Sequence, residues 1–290
     1  MFWRILMVTA LLALLGLSAC RSAVGSELDE NVSIGTHSLH IRCMGQGSPT
    51  VVIDTGVGDT LERWGTFQAQ VAQITHVCTY DRAGYGSSEA GPFPRHSRQL
   101  ADEFFQLLVN AGVSGPYVLV GHSLGGLTMQ VFADRYPDQV AGLILLDPSP
   151  LPFITGRAFP ELYQMLEGQT IEFQNMAEAA RHSADTGAQV KANYLEAVAS
   201  EHAALIAESA SQVAAVESFG DLPLVVIGSG IPNPAFGSEA EIFQQFWIEQ
   251  NRELADKSTN GTFVLAQESS HYLHEGAPNL VLDAIRKMVE

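Results

Sequence analysis

Basic residues are scarce. Fifteen Lys and Arg stand against 32 Asp and Glu, a formal net charge of −17 over 290 residues. A chain this acidic has little with which to neutralise phosphates, which argues against a nucleic-acid partner. Cysteine is rarer still: Cys20 closes the first apolar stretch, and only Cys43 and Cys78 follow it. The nine histidines show no metal spacing such as His-x-x-x-His with a nearby acid, so no metal is implied. There are no internal repeats, and the one long apolar run, residues 5–17, is too short to span a bilayer well. What is present suits a globular protein: 46% hydrophobic residues, 26 glycines, and enough length for one α/β domain with an insertion.

The N-terminal residues form a separate object. Met1-Phe2-Trp3-Arg4 gives a short positive start, residues 5–17 are apolar, and the run ends in Leu17-Ser18-Ala19-Cys20. Residues 1–19 therefore read as an export signal, outside the fold. The ending is similar to the bacterial lipoprotein box. That resemblance implies a lipidated Cys20 and a chain held on the extracytoplasmic side of a bacterial membrane by its acyl chains. The alternative is an ordinary secretory signal and a secreted or periplasmic protein. Residues 20–30 read as a polar tether. Exported chains meet oxidising surroundings, so Cys43 and Cys78 are either a disulfide or two buried free thiols.

Further on, apolar strands alternate with amphipathic helices. Residues 32–35 and 38–43 read as a hairpin and 50–54 as a buried strand. Residues 60–74 carry Leu61, Trp64, Phe67, Val71 and Ile74 at helical spacing. Strands at 76–80, 118–120, 140–146, 222–227 and 262–266 are separated by helices at 97–111, 124–136, 238–258 and 277–289. Strands apolar on both faces indicate a mostly parallel sheet covered on two sides. The rhythm breaks over 148–220, Pro-rich at first and then helical from 172 to 219. This stretch reads as an inserted helical cap, with 31–147 and 221–290 forming the core.

Tyr117-Val118-Leu119-Val120-Gly121-His122-Ser123-Leu124-Gly125-Gly126 joins a β-branched apolar run to Gly-x-Ser-x-Gly. This is the pattern of a nucleophile elbow, a sharp strand-to-helix turn presenting a serine hydroxyl above the end of a sheet. Three other stretches fall at strand ends: Asp54-Thr55-Gly56-Val57-Gly58, Tyr80-Asp81-Arg82-Ala83-Gly84-Tyr85-Gly86, and Glu268-Ser269-Ser270-His271-Tyr272.

With these four pieces in order, residues 32–290 resemble the α/β-hydrolase fold family. The resemblance implies a doubly wound, mostly parallel eight-stranded sheet with the cap inserted after the sixth strand. It makes Ser123 the nucleophile and His271 the base, with His274 second. The backbone N–H groups of Val57 and Leu124 become the oxyanion hole. The family most often carries its acid after the strand at 222–227, but residues 228–235 contain none. Some members place it one strand earlier, which points to Asp147, with Glu239 as the alternative. His122 is expected to point away into packing. Asp81-Arg82 reads as an ion-paired turn, and Asp54 as support for the oxyanion loop. In the family the second and fourth strands are neighbours, which implies a Cys43–Cys78 disulfide. The implied activity is cofactor-free hydrolysis of a small-molecule or lipid ester through an acyl-serine. The alternatives are a non-catalytic binding protein on a hydrolase scaffold and a cofactor-free haloperoxidase-like activity.

Overall fold

The computed structural model describes residues 27–183 and 186–290. Cys20, the signal and most of the tether lie outside the described residues. β1 (Leu28–Ser33) begins within the stretch read as tether. Its polar side chains are stabilised across the hairpin rather than by burial: Asp29 bonds both His40 (2.9 Å) and Arg42 (3.3 Å) on β2 (Ser38–Met44). Alternation alone misses a strand held this way, because its outward residues are all charged or polar.

Eight strands form one sheet in the order β1-β2-β4-β3-β5-β6-β7-β8. β2 runs antiparallel to both its neighbours, and all later pairings are parallel. β3 (Thr50–Asp54), β4 (Val77–Tyr80) and β5 (Tyr117–His122) are buried at every position. β6 (Val140–Leu146) and β7 (Leu224–Ser229) are nearly so, while β8 (Gly261–Ala266) at the far edge is more open. Two apolar layers sit on the two faces. One packs Leu100, Phe104, Leu107 and Leu108 of α2 (Ser97–Asn110), with α3 (Leu124–Arg135), onto the sheet. The other packs Trp64, Phe67 and Val71 of α1 (Leu61–Val71) with Val281 and Ile285 near the C-terminus.

Cys43 on β2 lies directly opposite Cys78 on β4, and the two are joined by a disulfide with their Cα atoms 4.1 Å apart. His76 brings a third ligand-type atom within 4.8 Å of them, but both sulfurs are committed to each other.

Between β6 and β7 the chain is helical: α4 (Leu151–Ile154), α5 (Pro160–Arg181), α6 (Thr186–Ala204), a single π-helical turn at 205–209, and α7 (Ala210–Ala214). α5 begins twelve residues before the expected helix, with Pro160 in its first turn, where a missing N–H costs nothing. α8 (Ala240–Ala255) then covers β7 and β8, and α9 (Leu273–Gly276) and α10 (Pro278–Val289) complete the chain. No helix among the described residues is long and apolar enough to cross a membrane.

Candidate active site

The carboxyl ends of β5 to β8 converge on one spot, the usual place for chemistry in an open α/β sheet. Ser123 follows β5 at φ 53°, ψ −116°, a backbone region that is costly for a residue with a Cβ, at roughly 1–3 kcal/mol. The turn is tight enough that a Cβ on Gly121 would lie 2.5 Å from the Gly125 carbonyl oxygen. A Cβ on Gly125 would collide with the Asp54 and Thr55 carbonyls. The glycines therefore let the start of α3 press against the backbone at the end of β3. From 117 to 133 every residue is buried except Ser123. The sequence thus folds a hydrophobic strand and helix around a single part-exposed hydroxyl.

Asp147 stands one strand over, at the end of β6, and it too has positive φ (47°). Its side chain is almost wholly buried and faces three donors. His271 Nδ1 donates to Oδ2 at 2.7 Å, Ser229 Oγ to Oδ2 at 2.8 Å, and the Ser229 N–H to Oδ1 at 2.9 Å. Gln244 from α8 in turn donates to the Ser229 carbonyl (2.7 Å). The end of β7 therefore carries a serine that donates to Asp147, in the place where the family most often has the acid. Glu239 lies before α8 and has no hydrogen bond to His271.

His271 is half-buried, between β8 and α9. Its ring is 4.6 Å from that of His122 and meets the Trp247 ring edge-on at 6.2 Å. Contrary to the expectation that His122 only packs, its Nε2 donates to the His271 carbonyl at 3.0 Å, which places the proton on Nε2. Burial, then the neighbouring His271 and His274, hold His122 well below the ordinary imidazole range, so it stays neutral. It is buried, as packing requires, and it also fixes the backbone of the His271 loop. His274, the second candidate base, is buried. It stacks on Trp64 at 3.7 Å, and burial lowers it to about 4.

Asp81 and Arg82 do not pair with each other. Asp81 takes the Leu61 N–H at the start of α1 (2.9 Å) and the Ser87 N–H (3.1 Å). Arg82 turns inward to Asp54 (2.9 Å) and to Glu201 of α6. Adjacent opposite charges in sequence predict a local pair; instead Asp81 holds backbone N–H groups of its own loop and of α1, while Arg82 is taken up by Asp54 and Glu201.

Beside His271 opens a cavity of about 330 Å³, with Ile231, Pro232, Phe236, Phe243 and Trp247 among its lining residues. Phe153 and Phe159 from the helical excursion pack on Phe243, ring centroids 4.8 and 4.9 Å apart. Met165, by contrast, is exposed.

A family model described as alpha/beta hydrolase fold matches residues 49–180. An uncharacterized protein of Bacillus subtilis (strain 168), YqjL, is 26% identical over 256 residues, covering 86% of each chain. Four further relatives are far longer, and the chain matches only 14–20% of each. Among solved structures, a thermophilic esterase from Thermogutta terrifontis superimposes with a TM-score of 0.65 at 19% identity. That match covers 91% of this chain and all of the esterase. A bromoperoxidase from Bacillus anthracis gives 0.67 at 14% identity, over 90% of this chain and 99% of the other. With its eight-stranded, mostly parallel sheet and flanking helices, the chain has the α/β-hydrolase fold.

Proposed function

We propose that the protein is a serine hydrolase that cleaves an ester through an acyl-serine intermediate. The observation that carries this reading is the 2.7 Å bond from His271 Nδ1 to buried Asp147, beside a strained serine at the end of β5. A serine hydroxyl is a weak nucleophile until a base takes its proton. With Nδ1–H committed to Asp147, the free Nε2 of His271 accepts the Ser123 proton as Oγ attacks the carbonyl carbon. The Asp147 carboxylate stabilises the imidazolium that results. The Val57 and Leu124 N–H groups face the charge that builds on the carbonyl oxygen, and removing one such donor costs roughly 3–4 kcal/mol. The imidazolium then protonates the departing alkoxide. Water, deprotonated by the same histidine, releases the acid and restores Ser123.

An apolar acyl or alcohol group suits the aromatic cavity beside His271, and residues 148–220 act as a cap over the site. The bond from His271 Nδ1 to Asp147 favours catalysis over a binding protein without it. Cys20 is read as the lipidation site that would hold the enzyme on the outer side of a bacterial membrane. Turnover of p-nitrophenyl esters of increasing acyl length tests the reading. Hydrolysis should vanish in Ser123→Ala and favour chains that fit the cavity. Equal hydrolysis by wild type and Ser123→Ala would refute it. Metabolic labelling with a fatty-acid probe tests the anchor, through loss of label in Cys20→Ala.

A further inference from the structure

The loop expected to supply the second oxyanion donor is held by side chains from two directions. Arg82 Nη2 donates to the Gly56 carbonyl at 2.7 Å and Nη1 to the Thr55 carbonyl at 2.8 Å. In a planar trans peptide the C=O and the following N–H point opposite ways. Fixing the Gly56 carbonyl on Arg82 therefore fixes the direction of the Val57 N–H. The next peptide is fixed as well, since the Gly58 N–H donates to the Tyr85 hydroxyl oxygen at 3.1 Å. One residue on, the Gly58 carbonyl accepts from the Tyr194 hydroxyl at 2.9 Å.

Two of these anchors lead into α6. Arg82 Nε and Nη2 donate to the two oxygens of Glu201 at 2.9 and 3.0 Å, a bidentate pair with both side chains fully buried. The Tyr85 hydroxyl donates to Glu201 Oε2 at 2.7 Å, so the Gly58 N–H, Tyr85 and Glu201 form one chain of bonds. Tyr194 is two turns earlier on the same helix. Arg95 adds a contact to Glu201 at 3.5 Å and is itself held by Glu103 at 3.0 Å. A charge cluster this deeply buried is costly unless it is paired throughout, and much of its bonding terminates on the backbone of residues 55–58.

We propose that Glu201, acting through Arg82 and Tyr85, and Tyr194, bonded directly to the Gly58 carbonyl, are positioning residues that aim the Val57 N–H at the substrate oxyanion. The helical excursion then does more than cover the site: the seating of α6 is a condition for a formed oxyanion hole. This rests on the reading of Ser123 as nucleophile and Val57 as oxyanion donor.

The test compares wild type with Tyr194→Phe, Glu201→Gln and Arg82→Lys. Each is assayed for kcat, for KM on a p-nitrophenyl ester, and for affinity toward a trifluoromethyl ketone, which forms an oxyanion on Ser123. A misaimed donor weakens the transition state more than the ground state. Tyr194→Phe should lower kcat by several-fold and Glu201→Gln by about tenfold or more, with KM little changed and ketone affinity falling in parallel. Arg82→Lys, which keeps the charge but loses the fork, should resemble Glu201→Gln. Glu196→Gln, on the same helix in an exposed pair with Arg181, should leave activity unchanged. If the buried-charge variants fail to fold, Tyr194→Phe decides, since it removes one hydroxyl and no charge. Folded Tyr194→Phe with wild-type kcat and ketone affinity would overturn the inference while leaving the proposed function standing. A wild type no more active than Ser123→Ala would overturn both.

Discussion

At the scale of single residues, the acid was the open question, and its surroundings explain its position. A buried carboxylate at the end of β6 needs hydrogen-bond donors, and Ser229 supplies two of them from the end of β7. Both Ser123 and Asp147 hold positive φ, so the strain in this part of the fold sits on the two residues assigned to chemistry. Asp147→Asn should keep the fold, yet release the Nδ1 tautomer of His271 and lower kcat by roughly 10³–10⁴. Stopped-flow acylation rates beside circular dichroism would check both halves. A loss under tenfold would assign the role elsewhere, Glu239 first. Ser229→Ala removes only the hydroxyl donor and should cost about 1–2 kcal/mol of transition-state stabilisation, visible in kcat. The Ser123 and His271 positions were legible in the sequence because each lies in a short motif at a strand end. Ser229 and His122 were not: their roles depend on a cross-strand neighbour and on a loop carbonyl 149 residues away, and neither leaves a local signature.

At the scale of elements, the parallel strands were legible because burial on both faces makes them continuous apolar runs. β1 was placed late because its exposed residues are charged and are held by cross-strand partners. The excursion between β6 and β7 was read as helical, but its connection to the core was not, since Arg82 and Glu201 are 119 residues apart. Two predictions belong here. Gly125→Ala would drive a methyl group into the Asp54 and Thr55 carbonyls, so the variant should fail to accumulate as folded protein; a soluble, active Gly125→Ala would contradict the elbow packing. The Cys43–Cys78 bridge closes a 35-residue separation, and in the chain-entropy account its loss costs about 3–4 kcal/mol. Urea unfolding of the Cys43→Ser, Cys78→Ser double variant should show that drop, and an unchanged midpoint would contradict it.

At the scale of the whole molecule, several buried histidines tie stability to pH. Burial lowers His202 to about 4, and His274 likewise. An unfolded chain binds these protons near pH 6.5, whereas the native chain binds them only near 4. Between those values the unfolded state carries more protons, so stability is full above about pH 6.5 and falls as pH drops toward 4, by up to about 3 kcal/mol per histidine. Asp54 and Asp59, raised by burial, act in the opposite sense, so the clean comparison is between proteins. His202→Leu should flatten the fall in unfolding free energy from pH 6.5 to 4. The Thr170 hydroxyl, which bonds His202 at 3.1 Å, retains the Leu166 carbonyl as acceptor. An identical pH slope in the variant would show that His202 titrates normally.

The central claim is that Ser123 is a nucleophile activated by His271. Treating the folded protein with a fluorophosphonate and mapping the adduct by peptide mass spectrometry tests it most directly. One phosphonyl group on Ser123, absent from Ser123→Ala and slowed by orders of magnitude in His271→Ala, is the predicted result. A folded wild-type protein that stays unlabelled, or is labelled at another residue, would contradict it.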